Sequence, residues 1–141
     1  MSTTSGLTTT RLMGWARTAP TVARVLSTPD PGAVVDAVRT AVGKRNGSLA
    51  GLHPVDLGAT AWRGLFDRTD LDPSAVDDVI AGCVDAVGAQ AGNIARLSWL
   101  AAGFPEEVPG VTVDRQCGSS QQSVHFAAQA ILSGTADAVV A

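Results

Sequence analysis

"VTVDRQCGSSQQSVHFAAQAILSG", residues 111–134, changes its pattern at a single cysteine, Cys117. The residues before the cysteine alternate as in a half-buried strand, whereas Val124 and Ile131 after it recur at helical spacing. Gly134 is a residue type that commonly ends helices. The segment therefore predicts a strand, a tight turn carrying Cys117, and a helix.

Strand and helix patterns alternate along the rest of the chain as well. Strands are predicted within 33–43, 79–87 and 136–141, and helices over 54–69 and 93–102. Strands that alternate with helices favour parallel pairing through right-handed crossovers. We therefore predict an α/β fold of order β-α-β-α-β-α-β, with a mixed sheet of mainly parallel strands and helices on its faces.

The two ends of the sequence differ from the part between them. Residues 1–32 hold no acidic residue before Asp30, and we expect them to form a disordered leader outside the fold, with a transit peptide as the alternative. The predicted domain is 33–141. Its last strand pattern stops at Ala141 without a following turn, which favours a domain cut in the middle over a small sheet that finishes with this strand.

The composition excludes several classes of function. The chain has 45% hydrophobic residues and a net charge of -3, with Lys44 as its single lysine, so we expect no nucleic-acid partner. No apolar run reaches the roughly 18 to 20 residues of a membrane helix, and two separated cysteines are typical of a reduced compartment. We expect a cytoplasmic protein, or a mitochondrial one if the leader is a transit peptide.

The predicted position of Cys117 has chemical consequences. The first N–H groups of a helix have no intrahelical partner, and the positive end of the helix dipole points toward the sulfur. Both effects favour the thiolate, and the same N–H groups can stabilise an oxyanion. The alternative is a cysteine that is merely packed. A hydrolase elbow would need glycines two positions on either side, where this chain has Arg115 and Ser119.

Other polar residues have a structural interpretation. His125 lies about 12 Å along the helix from Cys117 by the helical rise, too far for a base in direct contact, and we expect a surface role. His53 is expected to contact the start of the following helix, and Cys83 to be a core hydrophobe. Loop 88–92 lacks the glycine patterns of phosphate loops, and Asp77–Asp78 has no partner group for a metal.

Three motifs in order resemble the thiolases, the acetyl-CoA acyltransferase family. The stretch 34–59 is similar to the opening strand, R-T-x-x-G-K turn and D-L-G-A helix of that family. The stretch 81–96 resembles its second strand and G-x-x-x-G-x-x-x-R loop. The stretch 113–141 resembles its V-N-R-x-C-x-S-G-x-Q-A signature. Together the motifs cover 33–141.

The resemblance implies an acyltransferase that moves an acyl group between CoA thioesters. By resemblance, the Cys117 thiol takes the acyl group and its backbone N–H forms part of an oxyanion hole. CoA then completes the cleavage of a 3-ketoacyl-CoA, or an acetyl-CoA carbanion forms a C–C bond. The resemblance implies no cofactor beyond the CoA substrates, no metal, and a homo-oligomer when the protein is complete. Arg115 and Gln116 are expected to brace the strand and a subunit interface.

The chain also departs from the family pattern. Ser119-Ser120 replaces the usual S-G, and GSSQQ resembles actinobacterial degradative thiolases, which favours fatty acid β-oxidation. The later N-x-N-G-G, G-H-P and C-x-G-G-G motifs, which hold the base and the second cysteine, are absent. We therefore expect the isolated chain to be inactive and assign no CoA-binding residue. The alternative is a truncated, non-catalytic protein that pairs through the third predicted strand, and a cysteine hydrolase is a remote third reading.

Overall fold

The computed structural model describes residues 22–26 and 33–141. Its strands are β1 (Val22–Leu26), β2 (Ala33–Val38), β3 (Asp78–Gly82), β4 (Gly110–Val113) and β5 (Ala138–Val140). Its α-helices are α1 (Pro54–Phe66), α2 (Ile94–Ala101) and α3 (Ser119–Ser133), with short 3-10 turns at Pro73–Ala75 and Gly88–Gln90. The predicted α/β class is confirmed.

The five strands form one mixed sheet of order β2-β1-β5-β3-β4. Strand β3 pairs in parallel with both β4 and β5, whereas β1 pairs antiparallel with both β2 and β5. Strands β2, β5, β3 and β4 therefore run in one direction and β1 alone runs in the other. The prediction of a mixed sheet with mainly parallel strands is confirmed.

Strand β1 is a difference from the prediction. Val22–Leu26 fall in the segment expected to lie outside the fold, yet they pair with β2 on one side and β5 on the other. Its sequence VARVL is rich in valine, which suits a strand, and its backbone supplies ladder partners to two neighbours that would otherwise be edges. The other residues of the predicted leader, 1–21 and 27–32, lie outside the described residues.

The helices cover both faces of the sheet. Helices α1 and α2 pack against each other and against one face, where Leu65, Val79 and Trp99 are fully buried. Helix α3 covers the other face, where Ala127 and Ile131 pack with sheet residues. Burying each large apolar side chain contributes about 1.5–3 kcal/mol, so α3 is held in place by its apolar stripe.

Both helix starts on the first face are capped by side chains. The Nδ1 atom of His53 accepts a hydrogen bond from the Val55 N–H at 3.3 Å, and Pro54 occupies the first turn. The expected contact of His53 with the helix start is confirmed. Asn93 caps α2 by accepting from the Arg96 N–H at 3.1 Å. Its amide also donates to the Gly110 carbonyl at 2.6 Å, which ties α2 to β4.

Two glycines determine the shape of the loop before α2. Gly88 and Gly92 adopt φ angles of 56° and 79°, a region that favours glycine. The Arg96 guanidinium donates hydrogen bonds to the carbonyls of Val108 and Glu106, which lie in the segment leading to β4. The G-x-x-x-G-x-x-x-R motif thus shapes a loop and ties down the next one.

Candidate active site

Cys117 lies in the short loop between β4 and α3. Strand β4 ends at Val113, and α3 begins at Ser119 with Gly118 at the N-cap position. The thiol is free and the residue is exposed. The predicted strand, turn and helix are therefore confirmed, although the strand ends three residues earlier than the pattern VTVDRQ indicated.

The backbone of Cys117 is in a left-handed conformation. Its φ angle is 60°, and the one other non-glycine residue with positive φ in the described part of the chain is Asn46. Such a conformation costs of order 1–3 kcal/mol and persists only where surrounding contacts enforce it. Cys117 is therefore held in place by its loop.

Arg115 makes the bonds that close this loop. Its carbonyl accepts from the Gly118 N–H at 2.7 Å, and its N–H donates to the Ser119 Oγ at 3.0 Å. Its guanidinium donates to the Oε1 atom of Gln122 in α3. One residue thus connects the strand side of Cys117 to three positions on its helix side. The expectation that Arg115 braces this region concerned the strand and an interface, and the bonds seen here go to α3.

Gln116 has a different role in the same loop. Its amide donates to the two carboxylate oxygens of Asp114 at 3.0 and 3.3 Å. This contact shapes the part of the loop before Cys117 and involves no other element.

The start of α3 rests directly on the end of β3. A Cβ atom at Gly82 would overlap the backbone of Ser119 and Ser120. Glycine is therefore required at this position for the first turn of α3 to approach the sheet so closely. Sequence reasoning did not identify Gly82 as part of the site. Its position near the end of an apolar run, AGC, was a signal for a close backbone approach.

Cys83 is placed differently from its prediction as a core residue. The strand expected over 79–87 ends at Gly82, and Cys83 follows it, half-buried, with its N–H bonded to the Val113 carbonyl at 3.0 Å. The run was misread because Val84 and Val87 look like strand residues but are exposed.

A cavity of about 250 Å³ lies behind the start of α3. Gly82 and Cys83 line it from the end of β3, Ser120 lines it from α3, and Trp62 lines it from α1. Trp62 is 3% exposed, and its indole N–H has no hydrogen-bond partner among the described residues. Cys117 does not line this cavity.

His125 lies on α3 and forms no hydrogen bond with Cys117 in the described ranges. It lines a surface depression of about 210 Å³ together with Arg115, Gln122 and two neighbouring residues. Its exposed position agrees with the surface role expected for it. Within 33–141 neither histidine forms a hydrogen bond with the thiol, and His53 instead accepts from the Val55 N–H.

Two acidic residues with shifted pKa values, Asp72 and Asp78, lie outside the loop that carries Cys117. Burial raises the pKa of Asp78 at the start of β3, although a hydrogen bond from the Val79 N–H opposes the effect. A hydrogen bond from the Ser74 N–H lowers the pKa of the exposed Asp72.

The Asp77 carboxylate accepts from the backbone N–H groups of Asp137 and Ala138 at 2.6 and 3.0 Å, so it ties the start of β3 to the start of β5.

The described residues contain neither a metal-binding cluster nor a membrane-spanning helix. No group of three His, Cys, Asp or Glu side chains there is arranged to hold a metal ion. None of the helices described is long and apolar enough to cross a membrane.

Comparisons with known proteins agree with the motifs. The family profile described as thiolase, N-terminal domain, matches residues 32–141. The chain is 83% identical over 108 residues to a steroid 3-ketoacyl-CoA thiolase of Mycobacterium tuberculosis, covering 77% of this chain and 26% of that protein. It is 44% identical over 108 residues to an acetyl-CoA acetyltransferase of Allochromatium vinosum, covering 77% and 27%.

A solved structure gives the same result for the fold. The crystal structure of the Bacillus anthracis acetyl-CoA acetyltransferase superposes with a TM-score of 0.65 at 32% identity, covering 84% of this chain and 28% of that one. The chain spans about a quarter of the length of the curated relatives it matches. The profile match and the strand, loop and helix around Cys117 lead to one conclusion: this chain belongs to the thiolase family, and residues 32–141 correspond to its N-terminal domain.

Proposed function

We propose that this chain supplies the nucleophile of a thiolase-type acyltransferase acting on a 3-ketoacyl-CoA. In the proposed reaction the Cys117 thiolate attacks the 3-keto carbon, and the C2–C3 bond breaks. Acetyl-CoA leaves as a carbanion that takes up a proton, and the remaining acyl group stays on sulfur as a thioester. The thiol of a second CoA then attacks this thioester, releases a shortened acyl-CoA and returns the cysteine. Run in reverse, the same steps form a C–C bond.

The observation that carries the proposal is the placement of Cys117 in the loop directly before α3. The residue is exposed in a loop that leads directly into α3, and Gly118 at the N-cap offers no side chain to occupy the first N–H groups of the helix. Free N–H groups at a helix start stabilise negative charge, both on a thiolate and on the oxygen of a tetrahedral intermediate. The Cys117 N–H is our candidate for one of the oxyanion donors.

The relatives favour a degradative reaction on a large acyl group. Identity to the steroid 3-ketoacyl-CoA thiolase is 83%, whereas identity to a β-ketoadipyl-CoA thiolase of Escherichia coli is 40%. We therefore propose a steroid-derived 3-ketoacyl-CoA as the substrate class. CoA and acyl-CoA are the proposed partners, together with a second copy of the complete protein, and the proposed location is the cytoplasm.

No basic side chain among the described residues is hydrogen-bonded to the Cys117 thiol. We therefore propose that the isolated chain accepts an acyl group slowly and does not complete the catalytic cycle. A base is needed to activate the attacking thiol and an acid to protonate the leaving carbanion, and general acid–base groups typically contribute about 10²–10⁴-fold each. The rate of the isolated chain should therefore fall far below that of a complete thiolase.

A chimaera tests the proposal. Residues 33–141 would replace the matching segment of the Mycobacterium tuberculosis relative, and cleavage of acetoacetyl-CoA and of a steroid-derived 3-ketoacyl-CoA by CoA would be followed. We expect activity with the steroid substrate, a thioester on Cys117 detected by mass spectrometry, and loss of both in Cys117→Ser. A folded chimaera that is active without Cys117, or that never forms the thioester, would rule out this nucleophile.

A second candidate is a non-catalytic protein that associates through β4. This strand pairs with β3 alone among the described strands, and Val111 on it is exposed, so its outer edge can accept another strand. A measurement of acylation separates the two candidates, because a purely associating chain would not form a thioester on Cys117 when mixed with acyl-CoA.

A further inference from the structure

Arg115 is bonded to α3 through both its backbone and its side chain. The backbone bonds reach Gly118 and Ser119, and the guanidinium reaches Gln122 in the first turns of the helix. Cys117 lies inside the loop that these bonds close. A change at either end of the guanidinium contact would therefore act on the cysteine without touching it.

Gln122 is an unusual partner because it is buried. It is 8% exposed, and its Oε1 atom accepts the hydrogen bond from the Arg115 Nη1 atom. A hydrogen bond from a charged donor is stronger than one between neutral groups, and a buried acceptor left without a partner is unfavourable. The pair therefore favours the loop conformation in which Cys117 has a positive φ.

We propose that Arg115 and Gln122 form a positioning pair that holds Cys117 at φ near 60° with its sulfur at the start of α3. This inference rests on the proposed function, since it assigns a purpose to that position. Without the pair, the loop relaxes and Cys117 returns to a negative φ. Because φ sets the direction of the Cα–Cβ bond relative to the backbone, the side chain of Cys117 then takes a different direction relative to the first turn of α3.

The pair is tested by alkylation, which needs neither a substrate nor a base from outside the chain. Iodoacetamide would be added to the full native chain, and the modified fractions of Cys117 and Cys83 would be followed by peptide mass spectrometry. In Gln122→Met and in Arg115→Met we expect alkylation of Cys117 to slow about twofold to fivefold, the range given by helix-terminus interactions at exposed sites. Alkylation of Cys83 should not change.

Conservative variants separate positioning from general destabilisation. Gln122→Glu keeps an acceptor of the same length and should restore most of the rate, while Gln122→Asn keeps the amide but is too short to reach and should not. Gln129→Met makes the matched change at an exposed position of the same helix and should have no effect. If Gln122→Met does not fold, the comparison of Arg115→Lys with Arg115→Met provides the same test, because lysine keeps a charged donor.

Several outcomes would overturn the pair. They are an unchanged Cys117 rate in both methionine variants, equal slowing in Gln122→Glu and Gln122→Met, or parallel changes at Cys83. The result is also distinguishable from a failure of the proposed function. Slower alkylation in a chain that never forms a thioester would keep the pair and reject acyl transfer, whereas full chimaera activity with Gln122→Met would do the reverse.

Discussion

Gly82 and Ser120 are in direct backbone contact, and this contact fixes how closely α3 approaches the sheet. The closeness depends on the missing side chain at 82, since a Cβ atom there would overlap the backbone of two residues of the first helical turn. A backbone neighbour cannot rotate aside as a side chain does. Gly82→Ala should therefore lower the free energy of unfolding by about 1–3 kcal/mol, the usual cost of overpacking.

The same substitution should also slow the alkylation of Cys117, because α3 must shift to make room and the loop moves with it. Urea unfolding and iodoacetamide labelling measure the two effects. A variant as stable as the parent, with Cys117 equally reactive, would show that the helix start tolerates the methyl group and that Gly82 has no part in placing the loop.

Gly64 offers the opposite case and a control for Gly82. It lies inside α1, and a Cβ atom built there meets no atom within 4 Å. Glycine costs roughly 0.5–1 kcal/mol relative to alanine in a helix interior. Gly64→Ala should therefore raise the free energy of unfolding by about that amount in urea titrations, and a loss of stability would contradict the open space at this position.

The two free thiols should differ in reactivity. Cys117 is exposed at the start of a helix, whereas Cys83 is half-buried behind the end of β3. Iodoacetamide should label Cys117 faster in the native chain, and the difference should disappear in concentrated urea, where both residues are accessible. Equal rates in the folded protein would remove the evidence for an activated thiol.

Asp78 should make stability depend on pH. Burial raises its pKa in the folded state, so this group contributes stability at pH values below its unfolded pKa and loses that contribution as pH rises through the folded pKa. Asp78→Asn keeps an acceptor for the Val79 N–H and removes the buried charge. The variant should be more stable than the parent at pH 7 and should lose this advantage near pH 3, as urea midpoints at the two pH values would show.

The sequence pattern was sufficient to predict elements that depend on residues close together in the chain. The helical spacing of Val124 and Ile131 predicted α3, and the break in pattern at Cys117 predicted the loop that the structure contains. The apolar run 79–87 was less informative, since a short run does not show where a strand ends. In the structure β3 stops at Gly82 and the later valines are exposed.

The contacts that sequence reasoning missed are those between residues distant in the chain or linked only by side chains. The contact of Gly82 with Ser120 joins two elements nearly 40 residues apart in the numbering, and no periodicity encodes it. The bond from Arg115 to Gln122 depends on the left-handed turn between them, which a pattern of apolar residues does not indicate. Strand β1 was missed because its composition resembled a leader more than a strand.

The bond between Arg115 and Gln122 has a consequence for how such sequences can diverge. The two positions need one donor and one acceptor, and the acceptor at position 122 is buried. An inheritable change at one position would therefore be tolerated best when the other changes with it, because a change at position 115 alone leaves the buried amide oxygen of Gln122 without its partner. Substitutions at positions 115 and 122 should therefore be correlated among related sequences, while the exposed Gln121 next to Gln122 varies freely.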